Sequence, residues 1–262
     1  MLLYDLAVIF YTLSFALLLV RFYYDGLALQ ALQQAITLSA IAMNAGSIIL
    51  TLFMKGDGLN NFIALFTFIL AGIYFVMSVK LQKSDLGLFI LPVVILAGLL
   101  TFFLTPGEAS VETKSLWLYV HIPLSVFGTA LFITAFATGF MYVILERQLK
   151  TKNFGRIFNR FPPLATLSSV NSASLYLGFA VYTAGLITAC GWMLFRMHTD
   201  AVYTESFHLK TASSSAAWFI MGLIVLIKSR RGMTARQTAI ASVTGFISVL
   251  AMLAAVIFFI VR

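Results

Sequence analysis

Three histidines and three tryptophans hold most of the ligand and stacking chemistry in this 262-residue chain. They are His121, His198 and His208, and Trp117, Trp192 and Trp218. A neutral imidazole is a good ligand for haem iron, and aromatic rings pack against a flat porphyrin. Trp117 and His121 are four residues apart, so on a helix they share one face. His121 stands inside an apolar run, where an ionisable group is a functional candidate by default. His121 and His208 are candidate iron ligands, the plain alternative being an ordinary polar residue at the bilayer interface. Trp117, Trp192 and Trp218 line the plane, and Lys210 (with Lys114 or Arg196) pairs with propionates. The plain alternative for the tryptophans is an aromatic belt at a bilayer surface. Other chemistry is missing: the sequence has no HExxH, GxSxG or P-loop. Its one cysteine, Cys190, makes no CxxC or CxxCH, which excludes a thioredoxin-like motif and a c-type haem attachment.

The elements that must position these residues follow from composition. Hydrophobic residues make up 61% of the chain and charged residues 10%, with a mean hydropathy of +1.00. Soluble domains carry about 25% charged residues. The apolar runs approach the ~20 residues needed to cross a bilayer. The fold class expected is all-α, a polytopic membrane protein with about eight transmembrane helices. The spans fall at about 3–21, 35–54, 62–79, 86–104, 116–145, 174–195, 213–227 and 239–261. They form a single integral membrane domain, with four amino-terminal spans in 1–104 and four more in 115–262. The first run lacks a small-x-small cleavage site, so it reads as a retained span.

Charge sets the orientation. Twelve of the seventeen Lys and Arg residues fall in the odd-numbered links, counting Arg21 in the first. Those links are expected to be cytoplasmic, with both termini outside. The net charge of +8 is then a matter of topology rather than of nucleic-acid binding. Spans 5 and 6 make a hairpin with Trp117, His121 and Trp192 at its outer end. A basic connector, about 146–171, lies inside, and Phe161-Pro162-Pro163 breaks the helix there. Small or aromatic residues recur on one face of each of three spans: Ser125, Gly128, Ala135 and Gly139; Gly178, Tyr182, Gly185, Ala189 and Trp192; and Thr211, Ser214, Ser215, Trp218 and Gly222. Such faces allow close helix approach or leave room for a flat ligand. No carboxylate is expected deep in a span, which argues against a proton-driven transporter. Asn44, in span 2, is expected to serve packing.

A set of ordered motifs goes further. His121 opens span 5, which ends Tyr142-Val143-Ile144-Leu145-Glu146-Arg147-Gln148-Leu149-Lys150. Span 6 carries Gly178-Phe179-Ala180-Val181-Tyr182-Thr183-Ala184-Gly185 and then Trp192. Gly58-Leu59-Asn60-Asn61 precede span 3, and Leu91-Pro92 lie in span 4. In this order the chain resembles the cytochrome c assembly protein superfamily, which includes CcsA, CcmC and the HemX-like proteins. The resemblance implies a haem-handling membrane protein with an outward tryptophan-rich loop flanked by haem-ligating histidines. His121 takes the place of the histidine before that loop. Lys210 and Trp218 match the Lys and the later Trp of the family's D-P-K-E-T-W-x-x-x-x-W segment. His208 stands where that segment has Asp, Thr211 where it has Glu, and Ser213 where it has Trp. W-x-W-D is absent, and Leu226 occupies the approximate place of the second flanking histidine. The resemblance is closest to HemX-like and CcsA-like members, and the missing loop signature argues against a complete cytochrome c synthase. It implies a role in cytochrome c maturation or haem biosynthesis. The implied partners are membrane lipid and either cytochrome c maturation proteins or a haem-biosynthesis enzyme. The implied location is the cytoplasmic membrane of a prokaryote. The alternative is a non-catalytic membrane regulator or scaffold without bound haem, of the kind that controls glutamyl-tRNA reductase level. Its basic connector, Arg147 to Arg160, would then bind a cytoplasmic partner.

Overall fold

An apolar segment in lipid finds no water for its amides, so the backbone must close its hydrogen bonds within the segment. The computed structural model describes residues 2–24, 26–53, 58–81, 85–103, 116–152, 155, 158, 160–197 and 205–261. Among the described residues there are eight long α-helices and no strand. They are α1 (Leu2–Tyr23), α2 (Leu27–Phe53), α3 (Gly58–Lys80) and α4 (Gly87–Phe103). There follow α5 (Leu116–Lys150), α6 (Leu164–Met197), α7 (Glu205–Arg231) and α8 (Ala235–Val261). Six of these, α1, α2, α3, α5, α6 and α7, are long and apolar enough to cross a membrane. The 17-residue α4 is apolar and shorter. The chain is an all-helical, multi-pass integral membrane protein, and its helices follow the expected order of spans.

Several boundaries differ from the expectation: α2 starts at Leu27 rather than near residue 35, and α5 continues to Lys150 rather than ending near 145. Helix α6 starts at Leu164, directly after Pro162-Pro163, and not near residue 174. Its first turns, Leu-Ala-Thr-Leu-Ser-Ser-Val-Asn, are polar enough to read as connector. Asn171, assigned to that connector, is instead buried. Its side-chain amide donates to the Ala135 carbonyl (2.6 Å) and lies 2.9 Å from the Ser242 hydroxyl. Helix α7 likewise extends beyond 213–227 at both ends.

Contacts divide the chain into two units, Met1–Thr113 with Lys152–Pro162, and Lys114–Thr151 with Pro163–Arg262. The first contains α1–α4 and is held by a buried polar network. Tyr4, Tyr11, Ser14 and Arg21 lie on the buried face of α1. Arg21 is not a link charge as the charge count took it to be. It is buried within α1 and pairs with Asp85, which is 1% exposed just ahead of α4. The arginine also donates to the Gln33 side-chain oxygen Oε1 (3.3 Å), and Gln33 Nε2 donates to the Tyr74 hydroxyl (2.7 Å). Ser14 and Thr37 share a hydrogen bond of 2.6 Å, and Asn44 and Thr67 one of 2.9 Å. From the connector, Arg160 donates to the Arg21 carbonyl (2.7 Å), and Phe161 packs edge-on against Phe89.

In the second unit α5 runs antiparallel to α6, and α8 packs beside α5. Phe136 stacks on Phe246 with ring centres 3.9 Å apart. Phe132, Leu175, Tyr182 and Met221 form the core shared by α5, α6 and α7.

Removing one partner of a buried ion pair leaves an uncompensated charge, at a cost of about 3–5 kcal/mol. Asp85→Asn is expected to lower the thermal unfolding midpoint in detergent, read by circular dichroism. Replacing both partners, Arg21→Met with Asp85→Leu, is expected to recover much of that loss.

Candidate functional site

The site is built where α5 meets α6. In lipid the approach of two helices depends on small residues at the contact. Gly128 on α5 faces the Tyr182 backbone so closely that an added Cβ would lie 2.9 Å from its Cα and its nitrogen. At Gly185 on α6 an added Cβ would lie 2.7 Å from Ser125 Oγ and 3.1 Å from the Ser125 nitrogen. Real Cβ atoms do not come this close, so these two positions set the helix separation. Gly178 against Phe132 and Gly191 against Trp117 continue the same antiparallel register. The stripes of small residues on spans 5 and 6 are thus filled by the opposing helix over this length, rather than by a flat ligand.

This packing fixes His121. Its Nδ1 lies 2.8 Å from the Gly185 carbonyl oxygen. A carbonyl only accepts, so Nδ1 carries a proton, and whenever the ring is neutral its lone pair is on Nε2. The Ser125 hydroxyl lies 3.3 Å from the same Nδ1. The Gly185 carbonyl accepts a second bond from the Thr188 hydroxyl at 2.6 Å, which holds the acceptor in place. The ring is partly buried, and among the described residues Nε2 has no hydrogen-bond partner. A hydrogen-bonded Nδ1–H with an open Nε2 is the usual arrangement of an imidazole prepared for a metal.

The tryptophans take separate positions. Trp117, one turn from His121, is 44% exposed and lies against Gly191. Trp192 is half-buried on α6, next to Gly191. Trp218 reaches α6 lower down. Its indole nitrogen donates to the Thr183 hydroxyl (2.8 Å), and its ring stacks on Phe179. Trp117 and His121 therefore meet one stretch of α6, while Trp218 meets Phe179 and Thr183. His208 and Lys210 lie on the opening turns of α7. Their side chains, with that of Arg196, fall outside what the structure describes, as do His198 and Lys114 altogether. Leu226 is an exposed residue eight positions beyond Trp218, toward the other end of α7. Among the described residues no group of three or more His, Cys, Asp or Glu could hold a metal ion. A site on His121 would rest on one protein ligand from this set.

Sequence reasoning found His121, Ser125 and Gly185 but missed Thr188 and Gly191. The available signal for both was position: they follow Gly185 at three and six residues, on the helix segment that faces span 5.

The sequence model of the Cytochrome C assembly protein family matches residues 2–261, so the chain belongs to that family. Membership places it in cytochrome c maturation, a process of haem handling. A comparison with curated proteins gave no match.

Overpacking a close helix contact costs about 1–3 kcal/mol. Gly185→Ala is expected to lower the thermal midpoint in detergent by a corresponding amount. Gly72→Ala, at a site with open space around it, is expected to leave the midpoint nearly unchanged.

Proposed function

We propose that this member of the cytochrome c assembly family binds haem as cargo at the outer membrane face, with His121 Nε2 as an axial ligand. The observation that carries the proposal is the bond from His121 Nδ1 to the Gly185 carbonyl. It selects the tautomer that leaves Nε2 free to bind iron. Thr188 holds the Gly185 carbonyl from the other side, and the Ser125 hydroxyl fits the same tautomer as a further acceptor near Nδ1. Haem iron supplies the Lewis acid that an imidazole nitrogen coordinates. Trp117 and Trp192 offer aromatic surface around Gly191, and Trp218 offers its indole from α7. His208 and Lys210 lie on the opening turns of α7, where Lys210 matches the family's segment and His208 replaces its Asp; by residue type His208 is the second ligand and Lys210 the propionate partner. The outer-face assignment rests on the distribution of Lys and Arg among the links. The link to cytochrome c maturation rests on the family, and the location in a prokaryotic cytoplasmic membrane rests on the resemblance.

Expression with excess haem precursor, followed by purification in mild detergent, is expected to give protein with a Soret band. His121→Ala is expected to abolish that band while keeping the helical circular dichroism signal. His208→Ala is expected to shift or weaken the band by altering the second axial position. Wild-type protein that never acquires a Soret band would remove the haem proposal. The chain would then fit a HemX-like membrane regulator without bound haem.

A further inference from the structure

We propose that the basic end of the second unit carries a headgroup site for an anionic phospholipid, with Lys228 as the cation that binds the phosphate. Helix α7 ends in Lys228, Arg230 and Arg231 and stops at Gly232, whose φ of 69° suits glycine. Thr234 and Gln237 then form a reciprocal cap at the start of α8, each side chain bonded to the other's backbone nitrogen (3.0 and 3.2 Å). This tight return brings Thr238 beside Lys228. The Lys228 ammonium donates to the Thr238 hydroxyl (3.0 Å) and to the Ser172 hydroxyl of α6 (2.8 Å). It also lies 5.9 Å from the centre of the Tyr176 ring. Three helices thus hold the charge in place, and among the described residues no carboxylate pairs with it.

The charge balance at this end favours an anion. Arg147, Lys150, Lys228, Arg230, Arg231 and Arg236 face one described carboxylate, Glu146. Glu146 is already shared by Lys150 (2.7 Å) and Arg236 (3.3 Å). An ammonium has three donors, and two of those on Lys228 go to hydroxyls. The third is left for a phosphate oxygen. The Thr238 hydroxyl donates to the Thr234 carbonyl, whereas among the described residues the Ser172 hydroxyl proton has no acceptor and suits the same phosphate. Arg231 follows three residues on, the spacing of one helix face. Leu177, Leu223, Leu226 and Ile227 are exposed nearby on α6 and α7. That apolar surface suits acyl chains and gives nothing to free phosphate. Basic pockets between transmembrane helices bind anionic headgroups by this combination. The site does not depend on haem.

The test is native mass spectrometry of the full chain in detergent, titrated with phosphatidylglycerol, with phosphatidylcholine or with inorganic phosphate. Phosphatidylglycerol is expected to bind in preference to phosphatidylcholine. Lys228→Gln should weaken phosphatidylglycerol binding about fivefold, the worth of one interfacial lysine. Lys228→Arg should retain it. Lys150→Gln removes the same charge from a side chain that is 60% exposed, and should have little effect. If Lys228→Gln does not fold, Ser172→Ala keeps the charge and should still weaken the lipid complex. Equal losses in Lys228→Gln and Lys150→Gln, or no loss in either, would overturn the site. Inorganic phosphate that binds alone and displaces the lipid would overturn the assignment to phospholipid.

Discussion

Helices surrounded by lipid tails gain little from hiding apolar side chains against one another, since the tails are equally apolar. What holds α5 to α6 is close contact, and that contact depends on glycine where the helices meet. Gly128 admits the Tyr182 backbone, and Gly185 admits Ser125. The same approach brings the Gly185 carbonyl to His121, one turn from Ser125. Packing and chemistry therefore share one constraint. If the helices separate by even the width of a methyl group, the carbonyl moves away from Nδ1 and the tautomer is no longer specified. The ligand proposed for haem rests on this arrangement.

The two units solve the problem of helix association differently. The first uses polar side chains, with Arg21 and Asp85 at one end and Asn44 and Thr67 farther along. Arg21 is buried near the end of α1, and its pairing with Asp85 and its bond to Gln33 compensate the charge taken out of water. Arg160 adds a bond to the carbonyl of Arg21, at the carboxyl end of α1 where carbonyls lack helical partners. The second unit relies on glycine contacts and aromatic stacking. Its polar groups also join helices, with Asn171 between α5 and α8 and Lys228 among α6, α7 and α8.

Much of this was legible from sequence. Runs of about 20 apolar residues leave the backbone little choice but helix, so the order of elements could be read directly. The pairing of spans 5 and 6 was read from two long apolar runs flanking a polar, basic connector. His121 stood out because an ionisable group in an apolar run is rare. What hydropathy obscured were polar residues that find partners inside the protein. Arg21 follows an apolar run as a loop charge would, and only its partner Asp85, 64 positions away, shows otherwise. Asn171 and its Ser and Thr neighbours lowered the local average and so looked like connector. Periodicity holds the missing signal, since Tyr4, Tyr11, Ser14 and Arg21 recur on one face of α1. The small-residue faces were ambiguous for a physical reason: a glycine that admits a ligand and one that admits a helix look alike until the neighbour is placed.

The central claim is that contact between α5 and α6 holds His121 with its proton on Nδ1 and Nε2 open. The chain has only three histidines, so nitrogen NMR of the histidine-labelled protein in micelles resolves them once His121→Ala assigns the signal. The expected result at neutral pH is an Nδ1–H tautomer at His121, with the Nε2 resonance moving when haem is added. A proton on Nε2, or an Nε2 signal indifferent to haem, would contradict the claim.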